Sequence, residues 1–547
     1  MADRRRAGIL AVLLFLAGGL ALAVFPGPGA ARLFGVGVLW WYCVVAAPLI
    51  AVVVTIVALP VTPLSIAAAL SPVLISTLLA RVFVGAPEAP LLVLAAALGP
   101  LLGVLVGPPT APRDHVTAGL ALASGGLLVW AGFLLAGDLA VVFGRPRWHG
   151  LGMAGAVGLI ACIRVAGYLR AGVLAAVVVV LAAPVVVLAV RGQAPWEAWA
   201  AQASRPALLF AERGPAASGG VVLRVGTVVE LEEAHRVTAL SRAVYRVVER
   251  DGETPAVREW QLAPGDALML RPGDRLELAA GAHVRFEPGK RIPGAAVSGV
   301  AWADPVGRDR DVVVDVAAVA LTLAAGAAAL VAGRRNGRHA PSRLAASVWL
   351  SVPVALAVLA VCWGVYAADA APELGLGAPP IAAFAAVPRL LPDELWPTVA
   401  LVAALAALAA LFGASVSALG ERILDLAGAG PEAVPGLRLA WAATIVAAAG
   451  LAIPRFDAWH ALTLGWGLAA SAVLAPALGG AGARPRRAGA ITGAIVFAIL
   501  AVGGRTLMPW APAVGEYPAL AAMPAAWAVA MALSGRLPAR RAARVSR

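Results

Sequence analysis

The sequence predicts an α-helical polytopic membrane protein of about 13–14 transmembrane helices, with one small all-β domain inserted between them. Three observations carry that class. Of 547 residues, 61% are hydrophobic and only 13% are charged, and a soluble domain cannot hide that much apolar surface. Apolar runs of about 18–25 residues recur, each long enough to cross roughly 30 Å of hydrocarbon. The pattern breaks once, between about Gly192 and Arg310, where charges, turn residues and two-residue alternation take over.

The apolar cores lie near 7–25, 34–59, 62–83, 88–108, 116–140, 149–168, 170–190, 311–333, 344–368, 394–419, 437–454, 457–478, 488–508 and 517–534. The first follows Asp3-Arg4-Arg5-Arg6, which resembles the charged start of a signal sequence, and it reads as a retained signal-anchor. Residues 34–83 hold Pro48, Pro60, Pro63 and Pro72, so they fit two spans or one broken helix plus a re-entrant piece. This divides the chain into N-terminal transmembrane helices (1–191), a β-rich domain with its linker (192–310), C-terminal transmembrane helices (311–536) and a basic tail (537–547).

In the polar insertion, the runs VVLRVGTVVELEE, AVYRVVER and REWQLAPGDALMLRPGDRLELAAGAHVRFEPG alternate with period two. That period indicates half-buried strands from Val221 onward. Pro264-Gly265-Asp266 and Pro272-Gly273-Asp274 recur eight residues apart. In each, Pro presets φ, Gly permits positive φ and Asp bonds back to the backbone, so each is a turn. Trp196 and Trp199 sit in the linker or surface helix ahead of the strands.

The formal net charge of +13 does not indicate nucleic acid. The arginines gather in short loops and at the two ends, where membrane topology places them. Arg334-Arg335-Asn336-Gly337-Arg338, Arg484-Pro485-Arg486-Arg487 and the tail fall on one side when the spans are counted. The positive-inside rule makes that side the cytoplasm, in a cytoplasmic (inner) membrane, and puts residues 192–310 outside it. Cys43, Cys162 and Cys362 fall in three different apolar segments, with neither metal-ligand spacing nor a disulfide framework.

Residues 394–510 carry the most informative succession. A small-residue helix with serines at its centre ends in a charged turn, Glu421-Arg422. HALTLGWGLAASAVLAPALGG follows, then the basic turn ARPRRAG, then AGAITGAIVFAILAVGG. This order is similar to the closing helices of the sodium:solute symporter family, with its W-G-x-x-x-S-x-x-x-x-P helix, basic loop and A-G-x-x-x-G helix. The likeness continues through 116–191 and 311–510, and more weakly through 34–108. It implies a LeuT-type core of two inverted five-helix repeats, with a site near the bilayer midplane. Its first core helix should be broken, and the segment from Trp40 to Pro60 containing Ala46-Ala47-Pro48 is the candidate. The inserted β domain stands where the family has an external loop.

The resemblance also implies sodium, held partly by hydroxyls of the serine-bearing helix and by backbone at Ala46; nothing in the sequence calls for another cofactor. Two registers are open. Alignment through Ala409-Ala410-Leu411-Phe412 sets the hydroxyl pair on Gly413 and Ala414, and the ion ligands are then missing. A slip of two residues makes Ser415 one ligand, with Val416 in place of the other and Ser417 next to it. Packing is the competing role for both serines, because small residues let membrane helices approach closely. The family's Y-x-x-x-G-G stretch aligns with IACIRVAGYLRA at 160–171, which lacks the tyrosine and the double glycine.

Charges inside spans are the other place to look. Asp138 lies near the outer end of its helix, a candidate for proton relay or partner contact. Arg164 lies near the inner end of the next helix and is placed to snorkel. Asp315 stands near a helix start, and Glu421, Arg422 and Asp425 form a polar helix end. Six histidines are scattered, no two on one span, and no nucleophile, metalloprotease, phosphate-loop or dinucleotide motif appears, so no enzyme activity is indicated. In FEPGKRIPG, residues Arg285, Glu287, Lys290 and Arg291 form a mixed-charge cluster suited to partner docking or to a solvated turn.

Two functions follow. One is a symporter-like secondary transporter of a small solute. The other is a transport-inactive, transporter-derived scaffold subunit whose external β domain docks a partner protein. If Ser415 or Ser417 faces a polar cavity beside the Ala46 segment, the transporter reading gains; if packing fills that space, the scaffold reading gains.

Overall fold

The computed structural model describes, apart from short breaks, residues 2–58, 88–106, 114–163, 221–304, 310–330 and 395–534, with isolated positions such as Leu74, Ala203 and Phe210 between them. Of the predicted apolar cores, those at 62–83, 170–190 and 344–368 lie outside these residues, as do Trp196, Trp199, Arg164, the loop 334–338 and the basic tail. The other cores are helical. Among the described residues, nine helices are long and apolar enough to cross a membrane.

In chain order the helices begin with α1 (Ala2–Val24). Next, α2 passes from Val38–Trp40 through a π-helical segment, Trp41–Ala46, into Ala47–Ala58. Then come α3 (Ala89–Val106), α4 (His115–Val142) and α5 (Arg147–Ile163). After the β domain, α6 (Gly299–Ala303) is a single turn, and α7 (Arg310–Leu330) returns to the bundle. The last group is α8 (Leu395–Ala427), α9 (Val434–Leu451), α10, α11 (Ala483–Leu507) and α12 (Ala519–Ser534). Within α10, Ala458–Ala469 leads through a second π segment, Ala470–Leu474, into Ala475–Gly479.

The two π segments share a cause. Each ends two residues before a proline, Pro48 or Pro476. Proline has no N–H for the carbonyl four residues back. The chain widens by one residue instead, so the Ala47 N–H donates to the Tyr42 carbonyl and the Ala475 N–H to the Ala470 carbonyl. This corrects the expectation of a broken helix at Ala46-Ala47-Pro48, because the chain stays helical there.

Glycine sets how close the helices come. Gly99 and Gly103, four apart on α3, face α7, where a Cβ on Gly103 would collide with the Ala324 carbonyl. Small residues at this spacing let backbones touch without hydrophobic pressure from lipid. Trp466 of α10 lies over Gly326 of α7, Phe412 of α8 over Gly132 of α4, and Trp441 of α9 over Gly125 and Gly420.

The insertion is an eight-stranded jelly roll. Its strands are β3 (Val221–Val222), β4 (Thr227–Glu230), β5 (His235–Ala239), β6 (Ala243–Glu249), β7 (Ala256–Leu262), β8 (Ala267–Leu270), β9 (Arg275–Leu278) and β10 (His283–Phe286). They form two four-stranded sheets, ordered β3-β10-β5-β8 and β4-β9-β6-β7, with antiparallel pairing. The pairing is nested: β6 with β7, β5 with β8, β4 with β9, β3 with β10. A long hairpin rolled across two sheets has this order. Leu223, Val237, Tyr245, Leu276, Val284 and Phe286 fill the space between the sheets.

The turns between the short strands repeat every eight residues. Gly265, Gly273, Gly281 and Gly289 have φ of 95°, 90°, 87° and 81°. The first two are the predicted Pro-Gly-Asp turns. Asp266 accepts the Ala263 N–H and Asp274 the Arg271 N–H, both at 2.8 Å. Gly281 and Pro288-Gly289 continue the series with less recognisable sequences. Strand β5 is missing from the predicted runs, because its inward positions begin with a histidine.

The jelly roll leaves the membrane helices through a built junction. A two-residue hairpin, β1 (Arg32–Leu33) with β2 (Val36–Gly37), precedes α2 and receives the end of α6. Arg32 pairs with Asp304 at 2.7 Å. Trp40 lies 4.8 Å from Trp302, centroid to centroid, and its indole N–H donates to the Trp302 carbonyl.

Candidate functional site

The serines of α8 stand where helices meet. Ser417 is buried, and its Oγ donates to the Ala161 carbonyl of α5 at 2.7 Å. Ser415 is buried too, and Phe412 and Val416 flank the pair. One turn on, Gly420 receives the Trp441 ring, whose N–H donates to the Val416 carbonyl at 3.2 Å. α8 packs on α4, α5 and α9, whereas α2 with Ala46 packs on α1 and α3. Ala46 is half-buried within the π segment, on a different part of the bundle surface from the serines.

Asp138 is half-buried near the end of α4 and forms an ion pair at 3.2 Å with Arg147, the first residue of α5. The Arg147 guanidinium lies over Gly137 and donates to the Ala452 carbonyl at 3.3 Å. Asp138 and Arg147 therefore tie a helical hairpin to the end of α9.

At the opposite end of the bundle, Arg422 is buried and donates through Nε and Nη2 to the Ala329 carbonyl at 3.3 and 3.2 Å. It thereby ties α8 to α7 through a buried charge-assisted hydrogen bond. Glu421 and Asp425 are half-buried beside it, and Asp315 is half-buried near the start of α7. Asp114, which precedes α4, donates its N–H to the Leu426 carbonyl at 2.9 Å and accepts from Arg487 at 2.7 Å.

Two buried polar groups stand out between α7 and α10. Thr322 of α7 and Trp466 of α10 are buried, and neither Thr322 Oγ1 nor Trp466 Nε1 has a partner among the described residues. Thr322 lies one turn from Gly326, which carries the Trp466 ring. Thr322 inside an apolar run gives no sequence signal, and Trp466 belongs to the W-G-x-x-x-S-x-x-x-x-P stretch without a polar role being evident there.

In the jelly roll, the docking candidates cluster at one end. Arg285 is exposed on β10; Glu287, Lys290 and Arg291 are half-buried in the turn after it. The structure brings this turn to Glu233 and His235. Glu233 Oε1 accepts the Arg291 N–H at 2.6 Å and stands 3.9 Å from His235 Nε2. Burial pushes the His235 pKa down, and the Glu233 charge opposes that shift. Burial also pushes the Tyr245 hydroxyl up. Among the described residues no cluster of histidine, cysteine and carboxylate side chains forms a metal site.

No family model matches the chain, and neither a curated protein nor a solved structure is found to be similar to it.

Proposed function

We propose that the chain is a membrane-embedded docking subunit, derived from a symporter-like transporter, that holds its jelly roll outside the cytoplasmic membrane for a partner protein. The observation that carries this reading is the hydrogen bond from Ser417 Oγ to the Ala161 carbonyl. A hard monovalent cation needs several convergent oxygens, and this hydroxyl serves helix packing instead. On this reading the helices keep the LeuT-type inverted-repeat ancestry, while the jelly roll, braced by Arg32–Asp304 and Trp40–Trp302, presents Arg285, Glu287, Lys290 and Arg291.

A second reading, sodium-coupled transport of a small solute, draws on a different place: Thr322 and Trp466 in the α7–α10 contact, whose polar groups have no partner among the described residues. One experiment separates the two. Thermal unfolding of the purified protein is followed in sodium chloride against matched potassium and choline chloride. A ligand at 100 times its Kd adds about 2.7 kcal/mol of apparent stability. The docking reading expects equal melting in all three salts. It also expects a photo-crosslinker at Arg285 to give one discrete adduct in native membranes, lost on reversing the charges of Lys290 and Arg291. A sodium-specific rise that disappears in Ser415→Ala overturns it in favour of transport.

A further inference from the structure

His235 opens β5 and is fully buried. Neither ring nitrogen has a hydrogen-bond partner among the described residues. Phe210 and Phe286 meet the ring edge-on, with centroids 5.9 and 6.4 Å away, and stack on each other at 4.8 Å. On the neighbouring strand Leu270 lies opposite. What covers the ring is a clasp of two backbone segments. The Phe210 N–H donates to the Lys290 carbonyl at 2.9 Å, and the Gly289 N–H donates to the Phe210 carbonyl at 3.1 Å.

The charged groups acting on the ring are few. Glu233 lies in the bend just before β5; Glu287, Lys290 and Arg291 come from the turn after β10. Glu233 is already engaged, because its Oε1 accepts the Arg291 N–H at 2.6 Å.

We propose that His235 is an acid-operated latch. As a neutral ring it lets Phe210 and the 287–291 turn close over it; as an imidazolium it draws Glu233 from the Arg291 amide and opens the clasp. An imidazolium has two N–H donors, and the acceptors that face the ring are the Glu233 carboxylate, 3.9 Å from Nε2, and the Arg291 backbone, neither of them hydrogen-bonded to it while the clasp is closed. An unpaired buried charge is costly, so the site must rearrange or admit water.

The direction of the pH effect follows from burial. The folded pKa lies below the ordinary value of 6.5 because the ring is desolvated, with the Glu233 charge and the Arg291 backbone partly offsetting that. The stability of the closed clasp is therefore fully present above about pH 6.5. It is lost as pH falls through the folded value, because the open state binds the proton first.

The latch goes beyond docking and stands whether or not a partner binds. Acid-sensitive docking at the 285–291 turn would rest additionally on the docking reading. The test is hydrogen exchange on the full-length protein in detergent at pH 7.5 and 5.5, with protection factors corrected for intrinsic pH dependence. Amides of 283–291 and Phe210 should lose about tenfold or more of their protection at pH 5.5 in the native protein, and keep it in His235→Phe. Unchanged protection in the native protein, or equal loss in the variant, overturns the latch. Glu233→Gln retains a carbonyl for the Arg291 amide but removes the charge, so opening should move to lower pH. An unmoved midpoint in Glu233→Gln also overturns it, and that variant decides the matter if His235→Phe fails to fold. Failure of the crosslinking experiment would leave these exchange results untouched.

Discussion

Arg487 Nε donates to Asp114 Oδ1 across 2.7 Å, joining the first turn of α11 to the residue that precedes α4. The carboxylate is 5% exposed and the guanidinium 52%. Removing the arginine strands a buried charge, which is worse than removing both partners. Arg487→Ala should therefore cost about 2 kcal/mol, a value reduced for the arginine's exposure. Asp114→Asn combined with Arg487→Ala should cost less than Arg487→Ala alone. Thermal melts of the three proteins in one detergent check the order, and a double variant weaker than the single one contradicts it.

Gly103→Val should be among the most damaging single changes in the bundle. The added side chain meets the Ala324 backbone, which cannot step aside as a flexible side chain would. Overpacking of this kind costs about 1–3 kcal/mol. Gly119→Ala on α4 meets nothing within 4 Å and should be neutral or slightly stabilising. Detergent melting temperatures of both variants provide the comparison.

Tyr245→Phe should stabilise the jelly roll. The hydroxyl is buried and has no hydrogen-bond partner among the described residues. Deleting an unsatisfied buried polar group recovers about 1 kcal/mol of desolvation. Hydrogen-exchange protection of β6 and β9 in the full-length protein should rise, and a fall would mean that the hydroxyl has a partner.

Gly273→Ala and Asp274→Ala attack the same turn by different routes. The first forces alanine to a φ of 90°, which costs about 1 kcal/mol or more. The second removes the carboxylate that accepts the Arg271 N–H, at about 1 kcal/mol. Both should raise exchange in β8 and β9 and leave the protection of α4 unchanged.

Ser417→Ala should cost about 0.6 kcal/mol, the average for a hydrogen bond between membrane helices. The loss should be the same in sodium and potassium chloride. A larger loss in sodium would place an ion on Ser417.

Much of the architecture was legible locally. Apolar runs marked the spans, because twenty helical residues match the bilayer thickness. Pro-Gly-Asp at 264–266 and 272–274 marked turns, because each residue has its own conformational reason to be there. The β domain began at Val221 as its alternation indicated. Strand β5 was hidden by His235, whose burial depends on Phe210 and Phe286 from distant parts of the chain. Nothing near Pro48 distinguishes a helix that breaks from one that widens into a π turn; packing against α1 and α3 goes with the second outcome.

Hydropathy and period place this chain in a membrane and give it a β domain, because both are properties of consecutive residues. What the polar side chains do depends instead on which distant residues packing brings beside them. Ser417 meets Ala161, Asp138 meets Arg147, Arg422 meets Ala329, and Glu233 faces both His235 and Arg291. Each of these is set by the distance between two atoms, and a hydroxyl or carboxylate has the same letter in the sequence whether it holds a ligand, a helix end or a strand.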